Sequence, residues 1–117
     1  MHAIARLVLH PLIPNIQVSW TKLGARGAAV CLRGGAKDLG GTLMNESISR
    51  AAGAAHGQEM PVEAMEALIR SLGRTPRPRT TLYRHADPAR IALARSADAL
   101  APIILTPPLR RMKEPAL

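Results

Sequence analysis

Pro14-Asn15-Ile16-Gln17-Val18-Ser19-Trp20 is the stretch on which the fold turns. Ile16, Val18 and Trp20 alternate with Gln17 and Ser19, and Thr21 continues the polar set. A period of two marks a strand with one apolar and one polar face. Upstream, Ile4, Leu7 and Val8 fall at i, i+3 and i+4, which predicts a helix over residues 3–10, and Pro11 and Pro14 stop it. Downstream, residues 22–33 read as a helix closed by Gly34-Gly35 as a left-handed C-cap. Residues 36–39 then form a second short strand. A β-α-β order with a connection of this length predicts parallel neighbours and a right-handed crossover. The expected class is therefore α/β. Two parallel strand ends that deliver polar side chains suggest the rim of an α/β barrel, whose active site lies at the C-terminal ends of its strands.

The chain has 117 residues, and a complete barrel of this kind typically needs about 250. The expectation is a portion of a barrel. Hydrophobic residues make up 47%, but there is no Phe, one Trp and one Tyr, which predicts a thin core. After Gly40-Gly41, Asn45 suits the N-cap of a helix to about Ala52, with Glu46 in its first turn. Residues 61–72 form the clearest amphipathic helix. Pro61 suits its first position, Val62, Met65, Leu68, Ile69 and Leu72 make the apolar stripe, and Gly73 closes it. Residues 75–79 are expected to be extended and 80–83 to form a final short strand. An alanine-rich helix is expected over 88–101. Pro102, Pro107, Pro108 and Pro115 argue against an ordered tail. The division is thus a barrel segment over 1–83 and an Arg/Pro-rich tail over 84–117, partly disordered.

The net charge is +8, and residues 70–84 carry five arginines and no acid. Such a run serves as a phosphate or nucleic-acid patch, or as a solvated linker. The linker reading is favoured, because Tyr83 alone offers a stacking surface nearby; nucleic acid is not an expected partner. Cys31 is the sole cysteine and lies in an apolar setting, so a core position is expected and a disulfide within the chain is excluded. The four histidines lack the spacing of a helical metal pair, so no metal site is expected. His56 is read as a loop or turn residue. The N-terminus lacks a secretory pattern, and no apolar run approaches the roughly 18 residues of a membrane span. The expected compartment is the cytoplasm. Asp38 and Glu46 are the carboxylates nearest the rim. For Glu46, a helix cap or local ion pair competes evenly with a role in binding.

Three strings carry a resemblance: IPNIQVSWTKLG (13–24), GAKDLGGTLMNESISRAAGAAHGQ (35–58) and GRTPRPRTTLY (73–83). Together they resemble the C-terminal part of the tyrosine-utilising half of the FO synthase family, over about residues 3–83, and the likeness fades from Arg84. The resemblance implies the C-terminal portion of a radical S-adenosylmethionine (β/α) barrel. It implies a 4-hydroxyphenyl transferase of coenzyme F-420 biosynthesis, which joins the 4-hydroxybenzyl part of tyrosine to 5-amino-6-ribitylaminouracil. It also implies a [4Fe-4S] cluster and S-adenosylmethionine in the parent enzyme. In the family a CxxxCxxC motif holds the cluster. This sequence has no such motif, so the segment is expected to need the N-terminal barrel portion as a partner and to be inactive alone. The rim positions become substrate contacts: Gln17 and Ser19 from the first strand, and Asp38, Thr42, Asn45 and Glu46 after the second. No catalytic residue is assigned. Lys37 stands where the GANDLGG form of the motif has asparagine. Related radical enzymes of menaquinone biosynthesis share a looser version of the pattern. A basic, non-catalytic binding module is the remaining alternative.

Overall fold

The computed structural model describes residues 1–43, 46–56 and 59–97. Five helices are assigned there: α1 (His2–Leu9), α2 (Trp20–Arg33), α3 (Ile48–Ala51), α4 (Val62–Ser71) and α5 (Pro88–Arg95). The expected strands do not form a ladder among the described residues. They appear as a single parallel bridge between Gln17 and Asp38. Two backbone hydrogen bonds make it: Val18 N donates to Asp38 O at 2.8 Å and Lys37 N to Ile16 O at 3.0 Å. The physical reason is the shortness of both segments. Pro14 has no N–H to pair, and α2 begins at Trp20. On the other side the chain leaves the C-terminus of α2 at Gly35 and turns away at Gly40. What remains has room for one bridge, so the described architecture is helical with a parallel contact at its centre.

The alternation in the first segment holds where the bridge forms. Val18 and Trp20 are buried, whereas Gln17 and Ser19 are exposed. It ends at Thr21, which is buried because α2 has already begun. Val18, Trp20, Ala28, Leu32, Ala36, Leu39 and Met65 form the core, with Ile16, Cys31, Met60, Leu68, Ile69 and Leu72 packed against it. The stripe of α4 thus lies on α2. Cys31 is half-buried beside this cluster, near the core position expected of it. Trp20 adds a polar anchor: its indole N–H donates to Gly41 O at 2.8 Å. A buried indole needs such a partner.

Helix α2 is kinked at Gly24, whose φ and ψ are 65° and 177°. Its C-terminus forms a Schellman motif around the predicted glycine pair. Gly34 is the C-cap and Gly35, at φ 102°, takes the left-handed position. Gly35 N donates to Leu32 O and Ala36 N to Cys31 O, which satisfies two end carbonyls. Arg6 of α1 clasps this turn, with Nε donating to Gly35 O at 2.9 Å and Nη1 to Pro14 O at 3.0 Å. The apolar face of α1 forms as expected, but Ile4, Leu7 and Val8 on it are exposed.

Three local expectations shift. The helix after Gly41 is shorter than predicted and starts at Ile48; its expected cap, Asn45, lies outside the described residues. Pro61 is the N-cap of α4 and not its first helical residue, with a ψ of 152°. Residues 80–83 are a turn and not a strand: Tyr83 N donates to Thr80 O at 3.1 Å, and Tyr83 sits at φ 59°. The two threonines favour strand locally, but the chain doubles back here, and Arg79 and His85 pair across the turn in an antiparallel bridge. In α5, Asp87 caps the helix by accepting from Ala89 N at 2.8 Å, and Pro88 fills the first position. The alanine-rich helix ends at Arg95, short of the expected residue 101, because Ser96 caps it with its N–H donating to Ala92 O and Leu93 O; residues 98–101 and the proline-rich tail lie outside the described residues.

A Cβ at position 35 would need left-handed backbone and would stand 3.0 Å from Arg6 Cβ and 2.8 Å from Arg6 Cγ. Gly35→Ala should therefore destabilise the chain by about 1–2 kcal/mol, read as a lowered urea midpoint with an unchanged slope.

Candidate functional site

The bridge sets two predicted site residues side by side. Gln17 and Asp38 are bridge partners, and the chain beyond Asp38 turns at Gly40, which has φ 81°. Only glycine accepts that conformation without strain, and the same position lies close to Gln17. A Cβ on Gly40 would stand 2.9 Å from Gln17 Nε2. The Gln17 carboxamide therefore rests against a bare stretch of backbone.

Asp38 is 8% exposed, and both its oxygens are engaged. Oδ1 accepts from Gly40 N at 2.8 Å. Oδ2 forms an ion pair with the Arg79 guanidinium. Arg79 comes from the loop over residues 79–85, and its guanidinium carbon lies 4.3 Å from the centroid of the Tyr83 ring. That cation–π contact and the Arg79–His85 bridge hold the arginine in place. A carboxylate this buried requires a counter-charge and a hydrogen bond, and it has one of each, on different oxygens.

The other predicted positions are spread along the same chain. Ser19 is exposed; its Oγ lies 2.9 Å from Thr21 Oγ1 and its carbonyl accepts from Lys22 N and Leu23 N in the first turn of α2. Thr42 is half-buried, and its carbonyl accepts from Met60 N at 3.3 Å. Glu46 is half-buried and caps α3 through Oε1, which accepts from Ser49 N at 2.9 Å. Its Oε2 is buried with no hydrogen-bond partner among the described residues. Of the two roles weighed for Glu46, the helix cap is present, and one acceptor is left over. Asn45 lies outside the described residues. His56 packs against Gly24, where a Cβ would meet its ring at 2.6 Å.

A cleft of about 870 Å³ opens between this turn and the arginine-rich arm, lined by Lys37, Asp38, Gly40 and Thr42 on one side and by Arg77, Arg84 and Arg90 among others on the opposite wall. Several arginines of the run are committed within the chain. Arg74 donates to Ala36 O at 3.0 Å. Arg70 and Arg95 both pair with Glu66, which ties α4 to α5. The arm is therefore strapped to the core by the charges that distinguish it in the sequence. Arg79 is the site residue that the sequence reading missed. The composition of the run was visible, but a partner 41 positions away was not. Among the described residues no group of three His, Cys, Asp or Glu side chains could hold a metal ion. No helix there is long and apolar enough to cross a membrane.

A family model described as the CofH/MqnC C-terminal region matches residues 1–91. The FO synthase of Streptomyces coelicolor is 52% identical over 103 residues, which cover 88% of this chain and 12% of that protein. The 5-amino-6-(D-ribitylamino)uracil–L-tyrosine 4-hydroxyphenyl transferase of Methanopyrus kandleri is 57% identical over 83 residues, covering 71% of this chain and 22% of that enzyme. The FO synthase of Mycobacterium tuberculosis is 53% identical over 83 residues, 71% of this chain and 10% of its own length. The chain thus spans less than a quarter of each of these relatives. The likeness also continues past Arg84, where the matching strings fade. No solved structure matches the chain.

Asp38→Asn should lower stability by about 1–2 kcal/mol, since the amide can still accept from Gly40 N but no longer balances the guanidinium. Combined with Arg79→Ala, the loss should fall short of the sum of the two single losses by about 1 kcal/mol. A double-mutant cycle of denaturant melts measures this.

Proposed function

The chain belongs to the family described as the CofH/MqnC C-terminal region, and we propose that it supplies the substrate-facing rim of an enzyme that makes FO, the deazaflavin part of coenzyme F-420. In this reading residues 1–83 are the C-terminal portion of a radical S-adenosylmethionine barrel, and the parallel Gln17–Asp38 bridge is where two of its strands meet. Residues 84–117 form an appended arm and tail. The reaction is the one in the names of the relatives: transfer of the 4-hydroxyphenyl-bearing part of tyrosine to 5-amino-6-ribitylaminouracil.

The observation that carries this reading is the placement of Gln17 beside Asp38 and the Gly40 turn, within a sequence 52–57% identical to the relatives. Gln17 offers two donors and an acceptor, which suits a uracil edge or a ribityl hydroxyl. Ser19 offers a hydroxyl next to it on the same exposed face. Glu46 Oε2 is a buried acceptor, and a substrate amine or hydroxyl that reached it would relieve the cost of its lone pairs, of order 1–3 kcal/mol. Thr42, half-buried after the Gly40 turn, continues the polar arc. Asp38 serves this rim by fixing its backbone, because both its oxygens are already engaged.

The residues present do not fit a [4Fe-4S] cluster. The sole cysteine, Cys31, is half-buried beside the core. Four thiolates hold such a cluster in full, and the family motif supplies three. The radical chemistry would therefore have to come from the cluster-bearing portion of the barrel. What this segment contributes is recognition and orientation of the acceptor, and binding geometry of that kind governs much of an enzyme's rate.

The test is activity. The chain would be combined with the cluster-bearing portion of a relative, either fused or mixed, and assayed anaerobically with S-adenosylmethionine, tyrosine and 5-amino-6-ribitylaminouracil. Product should form in the combination and not with the chain alone. Gln17→Ala should then lower kcat/KM by about tenfold or more, the loss of one or two hydrogen bonds to substrate. No product from a folded, cluster-loaded assembly, or an unchanged kcat/KM in Gln17→Ala, would remove the proposal.

A further inference from the structure

The buried Asp38–Arg79 pair joins two parts of the chain that the rim reading treats separately. Asp38 Oδ1 holds Gly40 N, and the turn at Gly40 is where the Gln17 carboxamide rests. Asp38 Oδ2 is held by Arg79. Arg79 is in turn fixed by the face of Tyr83 and by its bridge to His85. The contacts run in series from the 79–85 loop through Arg79, Asp38 and Gly40 to Gln17. Arg74 strengthens the same attachment by donating to Ala36 O, two residues before Asp38.

We propose that Arg79 is a positioning residue for the acceptor substrate: through Asp38 and the Gly40 turn it sets where the Gln17 carboxamide stands. Arg79 does not touch the ribitylaminouracil. Its guanidinium keeps the Asp38 carboxylate aimed, so that Oδ1 continues to accept from Gly40 N. Without it, the carboxylate is drawn toward solvent, the Gly40 turn loosens, and Gln17 loses its resting place. A displacement of about 1 Å at a positioning group is enough to cost binding or rate substantially. This gives the arginine-rich arm a function distinct from nucleic-acid or phosphate binding, since its cations act on the rim from behind. The inference rests on the reading of Gln17 as a substrate contact, and two independent readouts separate the failure of either.

The first readout is amide hydrogen exchange in the chain itself, comparing Gly40 with Ala28 in the core of α2. Arg79→Ala should accelerate exchange at Gly40 by about tenfold while Ala28 changes by less than about twofold. The second is the steady-state kinetics of the assembled enzyme. Arg79→Ala should raise KM for 5-amino-6-ribitylaminouracil by about tenfold and leave kcat within about threefold, and Arg79→Lys should recover most of that KM. Unchanged exchange at Gly40 overturns the proposal, as does equal acceleration at Gly40 and Ala28, which would reduce Arg79 to a general stabiliser. A normal KM in Arg79→Ala, with Gln17→Ala impaired, also overturns it. If Gln17→Ala has no kinetic effect, the rim reading fails and the substrate role of Arg79 falls with it, while the exchange at Gly40 still decides whether Arg79 holds the turn.

Discussion

Three separate parts of the described chain meet at Asp38. Its backbone carbonyl accepts from Val18 N, which joins the two extended segments. Its side chain takes the Gly40 amide on one oxygen and the Arg79 guanidinium on the other. One residue thus joins the two extended segments that flank α2, shapes the turn that follows it, and attaches the arginine-rich arm. A carboxylate can do this from a nearly buried position only because each oxygen has a partner. The apolar core is small and has Trp20 as its one aromatic, so directional polar contacts carry more of the specification of this fold than they would in a larger domain.

Much of this arrangement was legible in the sequence. The alternation of Ile16, Val18 and Trp20 with Gln17 and Ser19 gave the buried and exposed sides correctly, because side-chain direction is a local property of extended backbone. The glycine pair at 34 and 35 gave the helix end, because the left-handed position has few other occupants. The stripe from Val62 to Leu72 gave α4 to within one residue. The extent of strand pairing was not legible, because a ladder depends on neighbours and on how soon each segment is deflected, here by α2 and by Gly40. Nor was the turn at residues 80–83, where local β-propensity was overridden by the pairing of Arg79 with His85. The ion pair that organises the site spans 41 residues, and no local pattern announces a contact of that separation.

The charge distribution is better explained by internal attachment than by an external polyanion. Arg74, Arg79, Arg70 and Arg95 each have a named partner within the chain, a backbone carbonyl or a carboxylate. Proline-rich, extended sequence such as residues 75–79 has little apolar surface with which to dock, so cation-to-carbonyl and cation-to-carboxylate contacts are the available means of fastening it. The same fastening brings the arm over the polar turn and forms the wall of the cleft there. The candidate rim and the attachment of the arm consequently lie in one small region. The chemistry that generates a radical requires ligands that this segment does not possess.

The most direct measurement is a crystal structure of the chain assembled with a cluster-bearing barrel portion and soaked with 5-amino-6-ribitylaminouracil. A polar atom of the bound uracil or ribityl group within hydrogen-bond distance of the Gln17 carboxamide or Ser19 Oγ, with Asp38 still paired to Arg79 behind the Gly40 turn, is the expected result. A ligand bound away from this turn, with Gln17 turned to solvent and Asp38 released from Arg79 to contact the substrate itself, would contradict it.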